Sequence, residues 1–421
     1  HAAGTFYASG FERALVVVID RDGSIHENTW RNFYHSHEEK GGREAESVYD
    51  CSYPSVFKCL YKNYWTHETF SIAKKYEAAT TLIGENCLEG GKTMGLAAYG
   101  SKDLYPKLTD NNFEHIKVSF NGALPTSMFK GLQGKIAKDI TPKNFKFYAD
   151  PCQHVQTDTQ QEALELIKKW IAITGIKNIC ISGGYGLNVV ANSYYVEQLP
   201  DCKFYFDPLA DDSGTSIGAA LSLYYKITQD SKSHPFQNNF YHFYENCFNQ
   251  YGKAASIKDV LKLLLDQQIV ALFEGAPEAG PRALGHRSLL LDPRNPKGKD
   301  IINKVKKREW YRPFAGVILS EHFEEYFDTL GLKDSPYMTL NFKCKRPKEI
   351  PAIVHVDNTC RVQTIKTGFL YDLLKLFYKE TGCPILLNTS LNIAGQPLVQ
   401  TKTEAIKDFK NIYFVDDQRL F

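Results

Sequence analysis

The sequence has almost no net charge. Across 421 residues, 50 Lys and Arg oppose 48 Asp and Glu, leaving +2. That excludes strong general nucleic-acid binding and leaves room only for a local basic patch. No uninterrupted apolar run reaches the length of a membrane span and no signal-peptide pattern is visible, so no membrane role is expected. The ten cysteines contain no C-x-x-C pair, and several, such as Cys180 and Cys383, sit in or beside apolar runs. They read as reduced, buried thiols of a cytoplasmic protein and not as a disulfide or zinc framework. Internal repeats, low-complexity segments, a Walker motif and the dinucleotide G-x-G-x-x-G spacing are also missing. What is present is a globular composition, 43% hydrophobic and 23% charged, on a chain long enough for two domains.

The apolar, β-branched run ALVVVI (14–19) ends in the turn signal DRDGS and reads as one arm of a hairpin. From about Lys102 to Asp150 the chain is mixed and Lys-rich, which suggests irregular or inserted elements. After Thr159 a helical period appears in Ala163, Ile167, Trp170, Ile171 and Thr174. Then follow the strand, glycine turn and helix of KNICISGGYGLNVVANS, the strand CKFYFDP, and the acidic turn and small-residue helix of LADDSGTSIGAALSLYY. Such alternation predicts an α/β layered domain. The polar, aromatic stretch Lys226 to Lys253 reads as a connection, after which SIKDVLKLLLDQ (helix) and IVALFEG (strand) open a second α/β unit.

The turn SGGYGLN (Ser182 to Asn188) can cradle a phosphate, because glycines let backbone N–H groups approach an anion in front of a helix. It equally fits a tight connection with no ligand. In DDSG, Asp211 and Asp212 suit either helix capping or a divalent cation. His1 and Asp20 add imidazole and carboxylate donors, whereas His35 and His37 read as surface residues. In the second unit Arg282, Arg287 and Arg294 lie in GPRALGHRSLLLDPR, and Arg308 and Arg312 follow in KKREWYRPF. Arginine grips phosphate or carboxylate with a planar fork, and glycines and prolines fix the loops around several of these. The lysines of NKVKKRE fit a solvated helix face. HVDNTCRVQT places His355, Asp357 and Arg361 in a strand-like segment, and PILLNTSLN ends a strand in Asn388, Thr389, Ser390 and Asn392. These groups suit a small anion carrying an amide or carboxyl function.

Taken together, the blocks HAAGTFY, FERALVVVIDRDG, GKTMGLAAYG, SGGYGLNVVANS, ADDSGTSIGAAL, GPRALGHRSLLLDPR, REWYRPFA, SPYM, HVDNTCRVQT and PILLNTSLNIAGQPLV run in the order of one family. The chain resembles the O-carbamoyltransferases of the nodulation and antibiotic-tailoring type. The resemblance implies an actin/Hsp70-like (ASKHA) ATPase-type domain over 1–250, similar to the tRNA-threonylcarbamoylation protein, and a YrdC-like α/β domain over 251–421. It implies an ATP-dependent transfer of the carbamoyl group of carbamoyl phosphate, through carbamoyl adenylate, to a hydroxyl of a small molecule or modified nucleoside, with Fe(II) or another divalent metal and Mg(II). Position by position, it implies His1, Asp20 and Asp212 as metal ligands. Gly183, Gly184 and Asn188 would contact the adenylate, and Arg282, Arg287, Arg308, Arg312, His355, Arg361, Asn388 and Ser390 would line the carbamoyl phosphate and ATP site.

The chain departs from the family in three places. The family carries further residues, including a first metal histidine, before the segment at which this sequence begins, so the ATPase-type domain is expected to be incomplete or completed by a separate polypeptide. Ala276 stands where the family usually has Arg. Ala394 and Gln396 stand where it typically has Arg and Glu, so binding of carbamoyl phosphate is expected to differ. The alternatives are a tRNA-threonylcarbamoylation-type enzyme and a non-catalytic, nucleotide-binding half of a split complex.

Overall fold

The structure is a computed structural model that describes residues 1–24, 42–65, 71–101, 140–234 and 252–421. His35 and His37, most of the Lys-rich stretch from 102, and much of the connection read between 226 and 253 lie outside the described residues. The chain falls into two compact units, His1–Gln237 and Asn238–Phe421.

The first unit runs α1 (Ala2–Ser9), β1 (Arg13–Ile19), β2 (Arg43–Ser52), β3 (Val56–Trp65), α2 (Ile72–Leu82), α3 (Gly90–Ala97), α4 (Phe145–Thr174), β4 (Asn178–Ser182), α5 (Val189–Gln198), β5 (Lys203–Phe206) and α6 (Thr215–Thr228). Its five-stranded sheet has the order β3-β2-β1-β4-β5. The run ALVVVI forms the central strand, antiparallel to β2 and parallel to β4. Being covered on both faces, β1 is apolar and buried from Ala14 to Ile19 and does not alternate. The antiparallel pairing of β1 with β2 agrees with the hairpin reading, although more than a tight turn joins them.

Two features of this unit were not visible as periodicity. Helix α4 begins at Phe145, well before the apolar repeat that starts near Thr159. Its first half buries Asp150, His154 and Gln156, which an apolar count misses. Gln156 is enclosed because its amide meets Tyr76 and Asn188. Helix α1 sits against α6 so closely that a Cβ on Gly218 would come within 2.8 Å of the Gly4 nitrogen. Below that contact Phe6, Tyr7, Tyr53, Phe57 and Tyr225 form an aromatic cluster, with the Tyr7 and Tyr225 rings stacked at 4.2 Å. Together these contacts fix α1, and with it His1 at its N-cap.

The second unit runs β6 (Lys253–Ala254), α7 (Ile257–Leu265), β7 (Val270–Phe273), β8 (Arg287–Leu291), α8 (Gly298–Lys306), β9 (Ala315–Leu319), α9 (Phe323–Tyr326), β10 (Asn341–Lys343), β11 (Thr359–Ile365), α10 (Phe369–Thr381), β12 (Ile385–Ser390), α11 (Lys402–Asp408), β13 (Ile412–Phe414) and β14 (Arg419–Leu420). Its nine-stranded mixed sheet has the order β10-β11-β9-β12-β8-β7-β13-β14-β6. Helices α7 and α11 start in capping boxes, Ser256 with Asp259 and Thr401 with Glu404. His355 to Asn358 form a turn, and only the second half of HVDNTCRVQT is strand. Both units are therefore α/β, each built on its own sheet.

Within the first unit, Glu46 of β2 is 2% exposed. One of its oxygens accepts from the Ile72 amide and the other from Asn63. Burial, with Glu162 nearby, outweighs the bonds from Asn63 and Ile72 and the charge of Lys75 and pushes its carboxyl up to about 7. A carboxyl raised on folding stabilises the fold fully below its unfolded range, near 4.5, and loses that contribution as pH rises through about 7. Urea denaturation between pH 5 and 8 is expected to show stability falling by up to ~1.4 kcal/mol per pH unit from this group. Glu46→Gln is expected to remove that part of the slope.

Candidate functional sites

In the first unit, the ends of three elements meet. His1 caps α1, Asp20 follows β1, and Asp212 stands on the short turn before α6. The His1 Nε2 atom is 3.0 Å from Asp20 Oδ2 and 3.4 Å from Asp212 Oδ1. Among the described residues this is a group whose ligand atoms all lie within 4.8 Å of one another. Asp20 is aimed by its own surroundings: its Oδ1 accepts from the amides of Arg21 and Gly184 at 2.8 and 3.2 Å. Burial opposes charge on His1, but Asp20 and Asp212 outweigh it and hold the imidazole above its ordinary value. Burial likewise opposes charge on Asp20, and His1 with the two amides overcomes it. Two carboxylates holding a proton on an imidazole form a donor set that a divalent cation can take over by displacing the proton. Among the described residues the buried Nδ1 of His1 has no hydrogen-bond partner.

The DDSG turn divides its two aspartates. Asp211 accepts from the Ser213 amide and caps the turn, while Asp212 is left to face His1. Behind them Asp207, buried at the end of β5, accepts from Thr5 Oγ at 2.7 Å and anchors α1. In the glycine turn Gly183 has φ +84°, and a Cβ there would lie 2.2 Å from the Ile19 carbonyl oxygen. The glycine is required by this close approach to β1, and Gly184 serves by presenting its amide to Asp20. Asn188, expected at the adenylate, is instead the N-cap of α5. Its Oδ1 accepts from the Ala191 amide and its Nδ2 donates to Gln156, which leaves the buried amide no reach toward a ligand.

In the second unit the arginines separate into two kinds. Arg287, at the start of β8, has no exposed surface. Its Nε donates to the Val399 carbonyl, its Nη1 to Glu274 and His286, and its Nη2 to Gly275 and Gln400. The guanidinium also lies 3.4 Å over the Phe273 ring. The expectation that Arg287 lines the ligand site is therefore corrected: all its donors are spent on backbone oxygens. Arg294 is likewise engaged, at 2.6 Å from the fully buried Asp292.

Arg282, Arg308, Arg312 and Arg361 are of the second kind. Each is half-buried, and they are electrostatic neighbours. Burial, with Arg312 and Arg361, pushes Arg308 down to about 9. Burial, with Arg282 and Arg312, lowers Arg361. The Nε atoms of Arg308 and Arg361 are enclosed without a hydrogen-bond partner. Among the described residues Glu309, 3.5 Å from Arg312, offsets part of this charge. Crowded, desolvated guanidinium groups, with the Nε donors of Arg308 and Arg361 unengaged among the described residues, are complementary to a phosphate-sized anion.

Lys306 completes the cluster and corrects the solvated-helix reading. Lys304 and Lys307 are exposed as that reading has it, but Lys306 is fully buried at the end of α8. Its Nζ donates to the carbonyl oxygens of Ser390 and Asn392, and to Ser390 Oγ at 3.2 Å and Asn392 Oδ1 at 2.8 Å. Burial, with Arg308 and Arg312, lowers its pKa well below the ordinary lysine value. Sequence alone could have flagged it only by its placement two residues before Arg308. His355 lies half-buried on the turn leading into β11, the strand that carries Arg361.

Residues 1–221 match the family model described as the carbamoyltransferase N-terminus, and residues 261–416 match that of the carbamoyltransferase C-terminus. A protein of Methanocaldococcus jannaschii, MJ1051, is 31% identical over 80% of this chain and 69% of its own length. Nodulation protein NolO of Bradyrhizobium diazoefficiens is 28% identical over 97% of this chain and 75% of its own. Among solved structures, full-length HypF in its phosphate- and nucleotide-bound form shares 23% identity over 38% of this chain and 24% of its own. Its TM-score of 0.29 is too low to extend any feature of it to this protein.

Two measurements test the site geometry. Replacing Arg287 by Lys leaves at least two of five carbonyl oxygens without a donor, at about 1–3 kcal/mol each. Urea unfolding is expected to show that loss in its midpoint, with Arg287→Lys no better tolerated than Arg287→Met. In the first unit, Asp212→Asn is expected to weaken binding of Mn(II) or anaerobic Fe(II) by at least about tenfold by calorimetry. The fold should hold, because Asp212 is exposed.

Proposed function

The chain belongs to the carbamoyltransferase family and is a transferase enzyme, and from that membership we propose that it takes the carbamoyl group from carbamoyl phosphate, activates it with ATP as carbamoyl adenylate, and passes it to an acceptor hydroxyl. The observation that carries this reading is the half-buried cluster of Arg282, Arg308, Arg312 and Arg361 with Lys306. A carbamoyl phosphate dianion carries charge complementary to this cluster, and its amide suits the Asn and Ser side chains at the end of β12. Adenylation converts a poor electrophile into one with a good leaving group, and guanidinium groups held in a dry site stabilise charge that builds on the transferring phosphate.

In this reading the second unit is YrdC-like and makes the adenylate, and the first is of the actin/Hsp70-like kind and carries out transfer. His1, Asp20 and Asp212 would hold a divalent metal, Fe(II) or another as the resemblance implies, which when bound supplies a Lewis acid for the carbamoyl oxygen or the adenylate phosphate. Asp20 is kept ionised and oriented by the Arg21 and Gly184 amides. The Thr5–Asp207 bond keeps His1 in line with it.

The test is pyrophosphate release from ATP with and without carbamoyl phosphate. Release that depends on carbamoyl phosphate and falls on the order of a hundredfold in Arg282→Ala is the expected result. Folded protein that releases no pyrophosphate, or releases it regardless of carbamoyl phosphate, would overturn the activation step.

A further inference from the structure

The base of the arginine cluster contains an acceptor that the protein does not satisfy. Asn388 on β12 has no exposed surface. Its Nδ2 donates to Gln363 Oε1 at 3.0 Å and to the Ala283 carbonyl at 3.3 Å. Its Oδ1 is enclosed and accepts no hydrogen bond. The orientation of this amide is set by its neighbours. Gln363 Nε2 donates to the Leu284 carbonyl at 2.8 Å, which turns Gln363 Oε1 toward Asn388. Two acceptors, Gln363 Oε1 and the Ala283 carbonyl, then claim the Asn388 NH2. Rotating the Asn388 amide would place oxygen against oxygen twice, so Oδ1 stays without a donor.

The position of this oxygen connects it to the cluster. Asn388 and Arg361 both pair with Ala315 of β9, one from each side, so the two side chains share a row on one face of the sheet across a small residue. Ala283, which Asn388 grips, is the residue after Arg282. Ser390, two residues along the same strand, is held by Lys306. The arginines present only donors, suited to phosphate oxygens. Asn388 Oδ1 is an acceptor beside them, suited to an N–H.

We propose that Asn388 Oδ1 accepts a hydrogen bond from the NH2 group of the carbamoyl substrate, and that Gln363 is a positioning residue that fixes the Asn388 amide for this purpose. The pair then distinguishes carbamoyl phosphate from acyl phosphates of the same shape and charge. The proposal rests on the reading of the cluster as a carbamoyl phosphate site. A methyl group in place of NH2 would leave the buried Oδ1 unsatisfied, and a site built to bond an N–H rejects the analogue that lacks it.

Calorimetric binding of carbamoyl phosphate, acetyl phosphate and inorganic phosphate to the full chain tests this. Wild-type protein is expected to prefer carbamoyl to acetyl phosphate by about tenfold or more. Asn388→Leu is expected to bring that ratio close to one. Gln363→Leu should lower the ratio by freeing the Asn388 amide to turn, an effect that general loosening of the site would not confine to one ligand. Equal affinity of the wild-type protein for carbamoyl and acetyl phosphate would overturn the inference without any variant. So would a preference that survives both substitutions in folded protein. If the wild-type protein bound inorganic phosphate but neither acyl phosphate, the carbamoyl phosphate reading would itself fall, and this inference with it.

Discussion

One buried guanidinium organises the second unit. Arg287 ties together three stretches of backbone, the 274–275 turn, His286 and the 399–400 segment, with all five of its donors on carbonyl oxygens. A charge removed from water is tolerated only when its hydrogen bonds are complete, and here that requirement dictates where the loops run. Glu278 is the counterpart. It is buried, and its Oε1 accepts from the amides of Leu284, His286 and Arg287. Between the two residues, the segment from Glu274 to Arg287 is held from both ends and from inside. Asn388 and Gln363 hold it from the sheet through the carbonyls of Ala283 and Leu284.

This rigidity is what allows Arg282, Arg308, Arg312 and Arg361 to stand close together. Like charges in a partly desolvated site repel, and flexible loops would let them separate into solvent. Held in place, they retain an unfavourable interaction in the free protein that an anion relieves on binding. The same logic accounts for Lys306, whose ammonium is kept buried by four oxygens from Ser390 and Asn392. Preorganisation of this kind places the cost of assembly in the folding of the protein, so that it does not recur at each encounter with substrate.

The legibility of the molecule in its sequence follows from which residues have local causes. The β1 run, the glycine turn, the small-residue start of α6 and the amphipathic α7 all show a local pattern, and each forms as that pattern indicates. The metal candidates were gathered by the family resemblance, which named His1, Asp20 and Asp212 together; the fold sets each at an element boundary. The misreadings involve residues whose partners are remote in sequence. Arg287 looked like a ligand because an arginine on a Gly-Pro loop carries no sign that Val399 and Gln400 will take its donors. Lys306 looked like its exposed neighbours because helix periodicity does not reveal that Ser390 and Asn392 lie beyond its end. Asn188 was counted with the glycines before it, but Gln156, on a helix whose early turns are polar, claims its amide. Gln363 gave no signal in the sequence, since a lone glutamine in a strand has none until its register with Asn388 is known.

The near-zero net charge of the whole chain conceals two local sites of opposite character. In the first unit carboxylates converge on a histidine and hold its proton, an arrangement that favours a cation. In the second, guanidinium groups converge in a partly desolvated site, an arrangement that favours an anion. Each site is expensive to assemble in the free protein, and each is held by neutral hydrogen bonds that cannot cancel its charge: backbone amides on Asp20, backbone carbonyls on Arg287 and Lys306. Had acidic side chains done that work around the arginines, the fold would have been easier to stabilise and the anion would have had nothing left to neutralise. The use of carbonyl oxygens, which satisfy donors without supplying a full negative charge, is therefore the feature that separates a binding site from a salt-bridge network in this unit.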